Sequence, residues 1–175
     1  LSQDHLDYHK NINNYLKAKL YLFEKLIKKN GNIITDEKIP EFKKIKNITS
    51  NKDLNLFSLF DKKNNFQFLS HQYEDEFQLI EIRYNNQIHK IKLNLIGKVQ
   101  FKNVLMAVIA SIKSNVIIKD ILNVIPKIKS VEGRFERVGK IKNNSKVILD
   151  YAHTPDALKT CLKNIKEQFP GHKIT

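Results

Sequence analysis

Residues 146–169 read KVILDYAHTPDALKTCLKNIKEQF, and they decide the fold because the stretch changes character twice within its first nine residues. Lys146 to Leu149 have the apolar, β-branched content of a buried strand. Asp150 to His153 form a polar loop. Thr154 followed by Pro155 is a helix start: a hydroxyl at the cap, then a ring whose missing N–H costs nothing at the first helical position. Leu158, Cys161, Leu162 and Ile165 fall on one face of the helix that follows. A strand, a polar loop and a helix N-terminus together make the place where open α/β folds take ligands, beyond the carboxyl ends of their strands. The loop from Asp150 to His153 therefore sits where a ligand would bind, although an Asp ending a strand can also simply cap its loop. The fold class that follows is α/β.

Composition bounds the rest. The 175 residues, 41% of them apolar, suffice for one or two domains with a real core. Leu1 is not a start methionine and the final HKIT looks like a strand cut off as it begins, so the expectation is a piece of a longer protein. The apolar runs are short and broken by Lys or Asn, which gives neither a signal peptide nor a membrane span and points to a cytoplasmic location. The single cysteine, Cys161, excludes an internal disulfide and reads as a buried structural thiol. A formal charge of +13 would attract polyanions. Yet lysines are spread evenly, arginine occurs only at Arg83, Arg134 and Arg137, and base-reading motifs are missing, so no nucleic acid is expected as a partner.

Working back from the deciding stretch, Gly133-Arg134 sits at a turn. Arg134 is either an ordinary surface arginine or, in a chain that otherwise uses lysine, a planar multi-donor group that lysine cannot replace. Residues 118–129 read as an amphipathic helix with Ile121, Leu122, Ile125 and Ile128 inward and Pro126 bending its end. Before it, LIGKVQFKNVLMAVIASI (95–112) has a glycine turn leading into an apolar helix from about Phe101. Gly97-Lys98 is no phosphate loop, since the earlier glycine and the following Ser or Thr are missing. Gln100 and Asn103 place two amides where they could cap that helix. Residues 56–95 alternate apolar and polar through FSLF, FQFLS, FQLIEIRY and IHKIKLNL, with turns at 62–65 and 84–87. They read as an antiparallel meander with one wet face, with His71 and His89 on its surface. Residues 31–37 give a short buried strand ending in acid, and 40–55 further strand material such as IKNIT.

The opening is the last piece. NINNYLKAKLYLFEKLIKKN (11–30) reads as a helix with Ile12, Tyr15, Leu16, Leu22, Phe23, Leu26 and Ile27 at three- and four-residue steps and Asn30-Gly31 as its stop. At about 100° per residue, Lys19 projects within that stripe while Lys17, Lys25 and Lys28 project away. A lysine so placed either snorkels to the surface or must be paired, neutral or chemically altered, because burying a lone ammonium costs several kcal/mol. Just ahead, Asp4, His5, Asp7, Tyr8 and His9 crowd potential metal donors into a few residues that could equally be solvated.

Four strings carry a family resemblance: DHLDYH (4–9) with Tyr15, Ala18 and Lys19; the segment from Gly97 through Gln100 to Asn103; Gly133-Arg134; and DYAHTPDAL (150–158). Together they resemble the Mur ligases of peptidoglycan synthesis, in the UDP-N-acetylmuramoyl-tripeptide synthetase branch. The resemblance covers essentially the whole chain. It implies that residues 1–132 are the later part of a P-loop-type central ATPase domain with a small antiparallel sheet, and that 133–175 begin a Rossmann-like C-terminal domain. It further implies that His5 and Lys19, the latter carbamylated, hold Mg²⁺, and that Asn103, Arg134, Asp150, Tyr151, His153 and Gln100 bind ATP. Carbamylation would turn a cation into an anionic oxygen donor suited to that hard ion. Gln100 stands where the family pattern has Asn and Val99 where it has Phe. The implied reaction joins a diamino acid, meso-diaminopimelate first among candidates, to UDP-N-acetylmuramoyl-L-alanyl-D-glutamate through an acyl phosphate, by a monomer with no membrane partner. Cyanophycin synthetase and folylpolyglutamate synthase share the lysine and the aspartate and are the alternatives within the superfamily; a basic nucleic-acid-binding module is the alternative outside it. The family's phosphate loop and amino-acid-selecting motif are not among these residues, so the 175 residues alone are expected to be inactive.

Overall fold

The computed structural model describes residues 6–61 and 65–175 and is a mixed α/β fold with three small sheets. A short turn of helix, α1 (Leu6–His9), precedes α2 (Ile12–Tyr21), whose start is fixed by Asn11: its side chain accepts from the Asn14 N–H at 2.9 Å. α2 runs on into a π-helical turn at Leu22–Leu26 and stops at Ile27, ahead of Asn30-Gly31. One helix therefore forms where one was expected, but its buried stripe differs. Leu20 is the buried residue; with Leu16, Phe23 and Ile27 it packs on Ile33 and Ile45. Ile12, Leu22 and Leu26 are exposed. The stripe runs 16–20–23–27, and Lys19 stands beside it, exposed, with Nζ 5.3 Å from the Tyr15 ring centroid one turn earlier. The expected inward lysine is thus corrected: the wider set of apolar positions misplaced the centre of the face.

β1 (Asn32–Thr35) and β2 (Asn55–Ser58) pair in parallel, joined by α3 (Phe42–Asn51). Two expectations fail here. IKNIT (45–49) is helical, not strand, because Ile45 and Thr49, four residues apart, bury together on the Leu20–Ile33 cluster; tertiary burial outweighs β-branched preference. Phe57 and Ser58 of FSLF belong to the parallel pair, not to the meander. The meander proper is β3 (Phe66–Tyr73), β4 (Gln78–Tyr84) and β5 (Gln87–Leu93), antiparallel in that order. Its 84–87 turn forms with Asn85 and Asn86 at φ 48° and 66°, the left-handed values that a two-residue hairpin turn needs; the expected turn at 62–65 lies mostly outside the described residues.

The main core forms where the apolar face of this sheet, Ile80, Ile82, Ile91 and Leu93, meets α4 (Lys98–Lys113), through Phe101, Val104, Leu105, Val108 and Ile109, and α5 (Ile118–Val124). Pro126 sits in a tighter 3₁₀ turn (Ile125–Lys127) closing α5, as its missing N–H predicts. α4 starts at Lys98, three residues before the expected Phe101. The loop after β1 is tied to α4 by an ion pair between the buried Asp36 and Lys102.

Beyond α5, β6 (Glu136–Lys140) and β7 (Lys146–Leu149) form an antiparallel pair, followed by α6 (Pro155–Gln168). A second core of Ile96, Phe135, Cys161 and Phe169 joins this region to the start of α4. β7 is where the sequence placed it but is only half covered: Val147 and Leu149 are exposed, because among the described residues β7 pairs with β6 alone. Residues 172–175 form no strand. The β3–β4 turn reaches over to this region, where Arg137 and Lys140 pair with Glu76 and Lys146 with Asp75. No helix is long and apolar enough to cross a membrane among the described residues.

Candidate functional site

α4 and α6 converge with their N-termini on a cavity of about 590 Å³. Its walls include Gln100 and Asn103 from α4, Arg134 and Phe135 from the turn before β6, Asp150 from the end of β7, and Thr160 and Cys161 from α6. Four residues singled out from the sequence, Gln100, Asn103, Arg134 and Asp150, thus line one space although the first and last are fifty positions apart in the chain.

The arrangement is built from local rules. Thr154 caps α6, accepting from the Ala157 N–H at 3.3 Å, with Pro155 first in the helix. Asp150 is held at both oxygens: Oδ1 accepts from the Ala152 N–H at 3.0 Å and Oδ2 from the Phe135 N–H at 2.9 Å. It therefore does cap its loop. A carboxylate offers about four lone-pair sites, so capping leaves acceptor capacity toward the cavity. The Tyr151 N–H donates to the Gly133 carbonyl at 2.8 Å, which stitches the loop after β7 to the turn before β6. Gly133 has φ 66°, free for glycine, while Phe135 adopts φ 47°, a value a bulky side chain rarely takes; burial of its ring and the Asp150 bond hold it there.

Gln100 Nε2 donates to the Arg134 carbonyl at 3.3 Å, so the amide and the arginine turn meet directly. The Arg134 guanidinium carbon lies 5.4 Å from the centroid of the exposed Tyr151 ring, and Tyr151 is edge-on to His153 at 5.0 Å. His153 Nδ1 is 3.0 Å from the Tyr151 carbonyl. Tyr151 and His153 flank the cavity through Arg134 instead of lining it. Cys161 is buried in the cavity wall; burial pushes its thiol pKa up, with the Asp150 charge and their hydrogen bond adding to it. That agrees with a structural cysteine, but its companions differ from those expected: Leu158 and Leu162 are exposed, and Asn164 and Gln168 are buried.

His71 is not the surface histidine expected. It is half-buried, stacked on Phe101 at 4.4 Å, with Nε2 2.7 Å from Gln78 Oε1; burial lowers its pKa, partly offset by that hydrogen bond. His89 is also half-covered, and its Nε2 is buried with no partner among the described residues. At the opening, the expected ligand His5 lies outside the described residues. Lys19 is open to solvent on α2, and no carboxylate pairs with it among the described residues. No group of three or more His, Cys, Asp or Glu suited to a metal gathers among the described residues. Asn164, Gln168, Phe135 and Thr160 were missed by the sequence reading; Asn164 and Gln168 act on Val99 and Gly97, more than sixty residues away, which no short pattern marks.

Two helix N-termini and a strand end thus surround an α/β pocket that offers amides, a guanidinium and a carboxylate. Comparison with known families then gives the particular family. Residues 1–111 match the Mur ligase middle domain and residues 133–175 the Mur ligase, glutamate ligase domain. The chain belongs to the Mur ligase family. It is 35% identical over 168 residues to the UDP-N-acetylmuramoyl-L-alanyl-D-glutamate--2,6-diaminopimelate ligase of Rickettsia montanensis, covering 94% of this chain and 34% of that protein. Its fold matches MurF from Acinetobacter baumannii with a TM-score of 0.79 at 15% identity, over 95% of this chain and 36% of that one. It also matches MurF ligase from Thermotoga maritima in complex with ADP, with a TM-score of 0.75 at 17% identity, over 97% and 38%. The chain spans about a third of the length of the curated relatives it matches.

Proposed function

We propose that the whole protein is an ATP-dependent amide-bond ligase that adds meso-diaminopimelate to UDP-N-acetylmuramoyl-L-alanyl-D-glutamate in the cytoplasm, as a monomer. The observation that carries this reading is the convergence of Gln100, Asn103, Arg134 and Asp150 on one cavity, in a chain 35% identical to a 2,6-diaminopimelate ligase. In it, residues 1–132 are the later part of the ATPase domain and 133–175 open the C-terminal domain.

The cavity fits the nucleoside end of ATP. The amides of Gln100 and Asn103 can each donate to and accept from the edge of adenine, and the spare lone pairs of Asp150 can accept from the ribose hydroxyls. Arg134, planar and half-stacked on Tyr151, supplies a cation beside an anionic ligand, with His153 behind the tyrosine. The γ-phosphoryl group passes to the substrate carboxylate with ADP leaving, and the diamino acid amine then displaces phosphate from the acyl phosphate to give the amide.

Magnesium, when bound, screens the charge that gathers between the two anions during this transfer. Lys19, as its carbamate, and His5 are the proposed ligands. The side chain of Lys19 is exposed on α2, and its assignment is carried by the DHLDYH (4–9) string with Tyr15, Ala18 and Lys19. The full-length protein incubated with ATP, Mg²⁺ and the UDP-dipeptide should form ADP, phosphate and amide in equal amounts with meso-diaminopimelate. Turnover with glutamate or aspartate and not with the diamino acid would assign it to another branch of the superfamily.

A further inference from the structure

Three side-chain amides are buried where α6 meets the turn that launches α4: Gln78, Asn164 and Gln168, at 0%, 5% and 2% exposure. A buried primary amide is costly unless its donors and acceptors are met. Here they grip residues 95–99. Gln78 Nε2 donates to the carbonyls of Leu95 at 2.6 Å and Gly97 at 3.2 Å. Gln168 Oε1 accepts from the Gly97 N–H at 3.3 Å, while its Nε2 donates to the carbonyls of Glu74 at 2.6 Å and Phe77 at 3.2 Å. Asn164 Oδ1 accepts from the Val99 N–H at 3.2 Å, and its Nδ2 donates back to the Thr160 carbonyl at 2.7 Å.

α4 has no side-chain cap within its own sequence. The N–H groups of Gly97 and Val99, two of the four that a helix start leaves unmet, are met instead by α6. Gly97 permits this approach: its φ is 85°, and a Cβ there would stand 3.1 Å from Asn164 Cβ and Oδ1. The residue after Val99 is Gln100, and Asn103 follows one turn later, both facing the cavity. α6 therefore forms one wall of the cavity through Thr160 and Cys161 and aims the opposite wall through Asn164 and Gln168, neither of which lines it.

We propose that Asn164, backed by Gln168, is a positioning residue for the nucleotide cavity, capping α4 from across the seam and so setting the aim of Gln100 and Asn103. This rests on reading the cavity as the adenine nucleotide site. The test uses the full-length protein with Asn164→Leu, Asn164→Asp and Asn164→Ser, reading Kd and KM for ATP, kcat and Tm. Loss of one buried acceptor should raise Kd and KM for ATP about tenfold in Asn164→Leu, with kcat within about twofold. Asn164→Asp keeps an acceptor for the Val99 N–H but turns its second oxygen on the Thr160 carbonyl that Nδ2 now donates to, so its Kd for ATP should lie between those of Asn164→Leu and wild type. Asn164→Ser, too short to reach, should follow Leu and serves if Leu fails to fold. Unchanged ATP affinity in Asn164→Leu or Asn164→Ser, with or without a lowered Tm, would overturn the proposal. Wild-type protein that binds ATP but ligates no diamino acid would sink the reaction assignment while the Kd series still decides the role of Asn164; wild type that binds no ATP would sink both.

Discussion

α2 and α6 are both amphipathic helices that follow a recognisable string, and they end in opposite situations. α6 is capped where its sequence says, packs Cys161 and Phe169 into a core, and is locked to α4 and to the β3–β4 turn by buried amides. α2 is also capped, by Asn11, but it buries one residue, runs into a π-helical turn and leaves Lys19 in solvent. The difference is one of partners. α6 meets α4, the β3–β4 turn and the Phe135 turn, whereas among the described residues α2 packs on the small Ile33–Ile45 cluster and, through Tyr15, on His9 of α1. Function on α6 should thus be inseparable from packing, and function on α2 should be separable from it.

The sharpest consequence falls on Lys19. In the full-length protein Lys19→Ala should lower ligase activity by about a thousandfold, the scale of losing a group that stabilises transferring charge, with recovery in short carboxylic acids. Its stability should move by no more than about 0.5 kcal/mol, since the side chain is exposed. Next, Asp150→Ala should weaken ATP binding about a hundredfold and also lower Tm, because the same carboxylate holds Phe135 and Ala152. A loss of binding with no loss of Tm would break the contrast between the two helices. Leu20→Ala, one residue from Lys19, should do the reverse of Lys19→Ala: about 2 kcal/mol of stability lost, seen in denaturant melts, with KM for ATP unchanged.

Smaller effects bear on the α4 side. Burial holds the folded pKa of His71 below its ordinary value, so the unfolded chain takes up the proton first as pH falls. Stability should therefore be level above about pH 6.5 and decline below it until the folded pKa is reached. His71→Phe should flatten that decline, as followed by Tm against pH. At the bottom of the scale, Lys163→Ala, breaking an exposed pair with Glu167 at 3.9 Å, should change stability by less than about 0.5 kcal/mol.

Local signals were legible. The helix start near residue 11, the cap at Thr154, the strand at 146–149, the closing proline at 126 and the asparagine turn at 85–86 all follow from a few neighbouring residues. So did the four residues of one cavity, although through a family pattern and not through spacing. What failed depended on distant partners. IKNIT has strand-like composition but lies helical because Leu20 and Ile33 take up Ile45; Lys19 looked inward because exposed Ile12 and Leu22 were counted with the buried set; His71 is stacked because Phe101, thirty residues on, comes to it. Asn164 and Gln168 gave no signal at all, as amides on a helix are ordinarily solvated.

The account turns on the α4–α6 cavity holding the adenine end of ATP. Photolabelling of the full-length protein with an 8-azido adenine nucleotide, followed by peptide mapping, tests this most directly. The label should fall within residues 99–103, 131–135 or 150–161 and vanish when ATP is added in excess. A label displaced by ATP but confined to peptides outside those three segments would contradict it.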